Sequence, residues 1–306
     1  MARVLANRPV CADHYAMRLA LEEFPPTRPG QFIHLLCGDN QPLPGARALD
    51  WPERQYPHAA QPELAGRRPL LRRPFSLAGR RDVSGGVELD LIQHVVGVGT
   101  AWLAELAGGA TVSVMGPLGN AFTIRDDRPA AALLGGGAGI PPMIYLAEAL
   151  KRAGKSVTAF AGARSKPVLP LTTDLGELPS QAGWPMLCAG EFAVHGVPTV
   201  LATDDGSVGF PGLVTEAFER WLARHEVRPA DLAVYACGPL PMLRAIALLC
   251  LERGIVCQVA LERHMACGVG TCQGCVCKVR SPEPPGWRYR LVCRDGPVFG
   301  AEEIVW

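Results

Sequence analysis

The sequence predicts a multidomain chain: an antiparallel β-barrel, then an α/β unit built on a doubly wound parallel sheet, then a small β-rich C-terminal module. Three observations predict it. Hydrophobic residues alternate with period two in short runs punctuated by Gly and Pro before about residue 128; strand-like and helix-like runs alternate from 128 to 255; cysteines crowd together after 256. The expected divisions are 1–127, 128–255 and 256–306.

In the first segment Val87, Leu89 and Leu91 alternate with Glu88 and Asp90, and Val112 and Val114 repeat the pattern, which is the period of half-buried strands. No convincing helix precedes residue 100, which favours a small barrel. Residues 39–68, rich in Pro, Ala, Arg and Gln without sustained periodicity, read as a long surface insertion. In the second segment residues 131–134 form a buried strand candidate. Pro141 and Pro142 suit a first helical turn, and Met143, Leu146 and Leu150 make one apolar stripe that Gly154 ends. A strand at 156–161, a helix marked by Phe218, Trp221 and Leu222, a strand at 232–236 and a helix carrying Leu243, Ile246, Ala247 and Cys250 continue the alternation.

With 306 residues and 48% hydrophobic composition the chain can bury two or three cores. A formal net charge of +1 gives no general attraction to nucleic acid or anionic lipid. The 11 cysteines, odd in number and unevenly spaced, suit a reduced cytoplasm better than a disulfide framework. Residues 1–13 lack the features of a signal peptide, and glycines and prolines interrupt the apolar stretch 130–150, so no membrane span is expected.

Cys267, Cys272 and Cys275 stand in a C-x4-C-x2-C run with Cys293 further on, the plant-type spacing for a [2Fe-2S] cluster. Gly268, Gly270 and Gly274 suit a loop that needs positive φ and close backbone approach. Four thiolates also suit zinc, but structural zinc sites use two separated cysteine pairs. Cys277 is a nearer fourth ligand; it falls on a strand starting about 275, and a hairpin turning at Pro284, Pro285 and Gly286 would return Cys293 to the loop. Cys293 is therefore the choice.

Gly135, Gly136, Gly137 and Gly139 lie where a strand turns into a helix, a place for a pyrophosphate or simply for tight packing. Cys237 and Gly238 follow the strand 232–236 at the sheet's carboxyl edge, where a thiol would sit beside a nicotinamide or be buried before a turn. Asp204, with Asp205, ends a probable strand. A carboxylate there favours NAD over NADP, Arg164 and Lys166 argue the other way, and Asp-Asp-Gly is also an ordinary turn signal. Arg73, Pro74, Phe75 and Ser76 open a candidate flavin site, and Gly97–Thr100 form a second candidate phosphate cradle.

These motifs in this order, together with 116–120, resemble the ferredoxin-reductase superfamily and, more closely, the electron transfer subunit of NAD-linked dihydroorotate dehydrogenases. The resemblance implies an FAD-binding barrel, an NAD-binding domain and a [2Fe-2S] module. It implies FAD contacts at Arg73, Pro74, Phe75, Ser76, Ile92, Gln93, His94, Gly99 and Thr100, and cluster ligands at Cys267, Cys272, Cys275 and Cys293. His94 stands where the family often has a basic residue, so a phosphate contact there is lost or pH-dependent. The implied partner is a separate FMN-containing catalytic subunit, in a heterotetramer of two of each, serving pyrimidine biosynthesis. Electrons would pass from FMN through the cluster and FAD to NAD⁺, with no acid/base side chain of this chain essential. A reductase of the same superfamily serving another acceptor, or a non-catalytic redox sensor, is the alternative.

Overall fold

The computed structural model describes residues 1–38, 71–173, 179–225 and 227–306; the insertion expected at 39–68 lies outside them. The first segment runs β1 (Ala2–Cys11), β2 (His14–Leu21), β3 (Phe32–Leu35), β4 (Arg73–Ser76), β5 (Gly79–Val83), β6 (Gly86–His94), α1 (Val98–Ala104), β7 (Thr111–Val112) and β8 (Val114–Leu118). These strands pair antiparallel in a five-stranded sheet, order β5-β6-β2-β1-β7, and a three-stranded sheet, order β4-β3-β8. Val4, Leu19, Ile33, Leu35, Leu89, Leu91 and Leu103 fill the space between them.

β6 shows why the alternation in the sequence is structural. Val87, Leu89 and Leu91 are buried, while Glu88 and Asp90 face outward and pair with Arg81 and Arg18. Half-exposed ion pairs of this kind contribute at most about 1 kcal/mol each. Burying three aliphatic side chains contributes about 1.5–3 kcal/mol apiece, so burial sets the face of the strand and the charges decorate it.

The second segment runs β9 (Ala130–Gly136), α2 (Ile140–Arg152), β10 (Ser156–Ala163), α3 (Gly190–Ala193), β11 (Thr199–Thr203), β12 (Phe210–Pro211), α4 (Val214–His225), β13 (Leu232–Cys237), α5 (Leu240–Glu252) and β14 (Val256–Ala260). Its sheet has the order β12-β11-β10-β9-β13-β14 with parallel neighbours. Helices cover both faces, so its central strands are apolar throughout. In β13, Leu232, Val234 and Ala236 enter the core beneath α4 and α5, and Ala233, Tyr235 and Cys237 enter the core beneath α2.

The last strands are β15 (Val276–Arg280), β16 (Trp287–Leu291) and β17 (Val298–Gly300). β15 and β16 form the expected hairpin. β17 joins the large sheet antiparallel to β14 as its seventh strand. Both β14 and β17 therefore extend the parallel sheet into the segment expected to hold only the cysteine module. Side chains tie the segments together, Tyr145 and Asn120 among them. The Tyr145 hydroxyl on α2 bonds Thr27 just before β3. Asn120, after β8, donates to the carbonyls of Asp295 and Val298 and accepts from the Val298 N–H.

The turn between β9 and α2 is held by close contact. A β-carbon at Gly139 would run into the carbonyl of Cys237, at the end of the neighbouring strand. Gly139→Ala is expected to lower stability by about 1–3 kcal/mol, as overpacking does, seen as a drop in the urea midpoint.

Candidate functional site

At the carboxyl ends of β9, β10, β11 and β13, where doubly wound sheets bind ligands, lies a cavity of about 430 Å³. Gly136 and Gly137 line it, and Gly137 adopts φ +52 with open space where a side chain would be. Gly135 and Gly139 do not line it; they let the turn close on Ile140 and on Cys237. The glycine run thus divides between a bare cradle and tight packing.

Asp204 lines the same cavity, as does Arg164 at the end of the neighbouring parallel strand β10. Its neighbour Asp205 is occupied in the turn, accepting from the Ser207 N–H at 3.0 Å and the Ser207 hydroxyl at 2.6 Å, which holds its carboxyl below the usual carboxylate range. The two adjacent aspartates have therefore parted roles. His94 also reaches the cavity, stacked on His14 with ring centroids 4.2 Å apart; burial, then the neighbouring His14, lowers its pKa. Cys237 and Gly238 lie behind the lining rather than in it. Cys237 is buried, and burial pushes its thiol well above its ordinary value. It is a neutral thiol in an apolar wall.

On the barrel, Arg73 bonds only the backbone carbonyls of Leu71 and Arg72 and makes no ion pair among the described residues. Register places Arg73 opposite Leu35, Pro74 opposite His34, Phe75 opposite Ile33 and Ser76 opposite Phe32. Gly99 and Thr100 open α1, where the Thr100 hydroxyl accepts from the N–H groups of Val96 and Gly97 and so shapes the preceding loop. Ile92 packs toward the parallel sheet. Gln93 is buried with neither side-chain amide atom hydrogen-bonded among the described residues.

His34 on β3 is fully buried, and neither ring nitrogen has a partner among the described residues. Burial, then the charges of Arg72 and Arg73, pushes its pKa down to about 4. Each buried polar atom left unpaired costs about 1–3 kcal/mol, so an amide and an imidazole in this state fit a protein that holds something further against them. His34 is not among the residues that the sequence motifs single out. Its signal was a lone polar ring in the apolar run Phe32-Ile33-His34-Leu35.

The cysteine loop folds through Gly268 at φ +72, Gly270 at φ +88 and Gln273 at φ 57. Gly274, expected to need the same freedom, does not adopt positive φ; a β-carbon there would make only ordinary contact, 3.7 Å from the Cys272 Sγ. Gln273 takes the left-handed turn instead. The thiols gather in two pairs. The Cys272 N–H donates to the Cys267 Sγ at 3.4 Å, and the Cys293 N–H to the Cys275 Sγ at 3.4 Å. Backbone donors from Cys272 and Val269 bring the Cys267 pKa down to about 6. Burial, then the Cys275 thiol, pushes Cys293 up to about 12.

Among the described residues no three His, Cys, Asp or Glu side chains converge as a site for one metal ion. Two thiol pairs suit a two-iron cluster, in which each iron takes two thiolates. Cys277 points into the apolar core beside Val279, and burial pushes it up to about 11. Cys275 and Cys293 are buried while Cys272 is exposed, so one side of the loop faces solvent.

The family described as "Iron-sulfur cluster binding domain of dihydroorotate dehydrogenase B" matches residues 262–305. A protein of Caldanaerobacter subterraneus subsp. tengcongensis named dihydroorotate dehydrogenase B (NAD(+)), electron transfer subunit, is 32% identical over 304 residues, 99% of this chain and 97% of its own. The Geobacillus kaustophilus protein of the same name is 40% identical over 241 residues, 78% of this chain and 81% of its own. Among solved structures, a chain of an NADH-dependent reduced ferredoxin-NADP oxidoreductase superposes with TM-score 0.74 at 25% identity, covering 100% of this chain and 90% of that one. Phthalate dioxygenase reductase, at TM-score 0.55 and 17% identity over 96% of this chain and 76% of its own, shares the fold.

The paired thiols separate the two candidates for the fourth ligand. Cys293→Ser is expected to lose most of the bound iron and visible absorbance, whereas Cys277→Ala keeps both, as measured by iron analysis of anaerobically purified protein.

Proposed function

The chain belongs to the family of electron transfer subunits of NAD(+)-linked dihydroorotate dehydrogenase B, and from that premise we propose that it passes electrons from a separate FMN-containing catalytic subunit to NAD⁺ in pyrimidine biosynthesis. The observation that carries this reading is the pairing of Cys267 with Cys272 and of Cys275 with Cys293 on a loop packed against barrel strand β3. When bound, FAD exchanges hydride with nicotinamide and single electrons with a [2Fe-2S] cluster, which is chemistry no side chain here supplies.

The chain's own residues bind and align. The guanidinium of Arg73, without a carboxylate partner among the described residues, is suited to a pyrophosphate oxygen. Pro74, Phe75 and Ser76 would line the flavin, and Gly99 and Thr100 would shape the loop that meets its phosphate. Ile92, Gln93 and His94 would border it from β6, with the unpaired Gln93 amide supplying hydrogen bonds. Gly136 and Gly137 would face the pyrophosphate of NAD, and Asp204 would accept from the adenosine ribose hydroxyls. Gly135, Gly139, Cys237 and Gly238 would hold the turn that shapes this cleft. No acid/base residue is assigned, because ring alignment is the chief requirement of hydride transfer.

The working assembly in this reading is a heterotetramer of two such chains and two catalytic subunits in the cytoplasm. No helix among the described residues is long and apolar enough to cross a membrane. The divisions 1–127, 128–255 and 256–306 would carry FAD, NAD and the cluster, with β14 and β17 shared between the last two. The similarity to the ferredoxin-NADP oxidoreductase chain across the whole of this chain favours, as a second reading, a reductase of the same superfamily serving another acceptor.

Co-expression with an FMN-containing dihydroorotate dehydrogenase is expected to yield a complex that couples orotate formation to NAD⁺ reduction; a complex without that coupled activity would overturn the reading. Cys272→Ser should leave NADH-dependent dye reduction largely intact while stopping transfer to the partner, and equal loss of both would count against this order of carriers. Asp204→Ala should raise the KM for NADH on the order of tenfold, the worth of one charge-assisted hydrogen bond, with little change in kcat, in steady-state dye reduction.

A further inference from the structure

His34 stands at the centre of the three-stranded sheet, opposite Pro74 on β4 and Met115 on β8. Neither of these neighbours offers its ring a hydrogen bond. Alternation along β3 puts Ile33 and Leu35 inside the barrel and turns Phe32 and His34 the other way. Phe32 packs there in the same buried cluster as Cys275 and Cys293. The nitrogen-bearing edge of the imidazole lies against Gly268, directly after Cys267: a β-carbon at 268 would come within 2.5 Å of Nε2 and 3.0 Å of Nδ1. The absence of a side chain at 268 therefore admits the ring to the cysteine loop.

A neutral imidazole carries one N–H donor and one acceptor, and here both are buried without a partner among the described residues. The cysteine loop, with Cys267 next to Gly268, lies on that side. Cys267 already takes N–H donors from Val269 and Cys272. Across the strand pair, Arg73 and Phe75 share the barrel-side face with Leu35 and Ile33, whereas Pro74 and Ser76 stand on the ring's face without offering it a side-chain bond. We propose that His34 donates its ring N–H to a sulfur of the cluster held by the Cys267–Cys275 loop, linking the strand beside the flavin to the cluster and raising the cluster's reduction potential. The proposal rests on the cluster reading above. Hydrogen bonds to sulfur stabilise the reduced, more negative cluster, so removing this one should lower the potential.

The experiment uses the full chain in complex with its catalytic partner, with histidine labelled by ¹⁵N, and reads the reduced cluster by pulsed electron paramagnetic resonance. The unsubstituted protein is expected to show a ¹⁵N modulation that both His34→Leu and His34→Gln abolish. In potentiometric titration His34→Leu should shift the cluster's midpoint downward, and His34→Gln, which keeps an N–H, should shift it less. A normal [2Fe-2S] spectrum without ¹⁵N modulation in the unsubstituted protein, or modulation that survives in His34→Gln, would overturn the role of His34 alone. An unchanged midpoint in His34→Leu at full iron and flavin content would do the same. A protein with no [2Fe-2S] spectrum at all would overturn this inference together with the cluster reading.

Discussion

Phe32 from the barrel, Phe160, Phe218 and Leu243 from the parallel sheet and its helices, and Cys275, Cys277, Val292 and Cys293 from the C-terminal module pack into one buried apolar cluster. Separately folded units joined by linkers would each close their own core. Here the cluster crosses all three segments, so moving one of them exposes apolar surface contributed by the others. The geometry of the candidate sites rests on that shared burial. The nucleotide cleft is set by the strand ends of the sheet, the cysteine loop by the hairpin packed on its edge, and the barrel face by β3, which meets both.

Much of this was legible in the sequence because it is local. The alternation of Val87, Leu89 and Leu91, the proline-opened and glycine-ended helix at 140–152, and the spacing of Cys267, Cys272 and Cys275 each report on neighbours a few residues away. The turn back to Cys293 followed from Pro284, Pro285 and Gly286, and the hairpin forms with Val276 opposite Leu291. The glycine turn after β9 was legible as a turn. Which of its glycines face a ligand and which face Cys237 was not, since that depends on β13, about a hundred residues on.

What escaped the sequence is long-range. β17 completes the sheet by pairing with β14 across the whole cysteine module, and nothing in Val298-Phe299-Gly300 announces that partner. His34 looks like an ordinary polar interruption of a strand until Gly268 arrives against it. Within the loop, Gln273 rather than Gly274 takes the left-handed conformation. Composition marks where such freedom is available, whereas the path of the chain decides where it is used.

Asn120 carries a mechanical implication. Its amide grips the backbone at Asp295 and Val298 from both its donor and acceptor ends, and its own N–H bonds the Gly296 carbonyl at 2.6 Å. Carriers mounted on swinging arms move charge at a pace governed by diffusion of the arm through solvent. A C-terminal module riveted to the barrel in this way has no arm to swing, so internal hopping should run at the same speed in buffer and in thick glycerol. Only encounters with molecules arriving from outside, protein or nucleotide, would feel the drag.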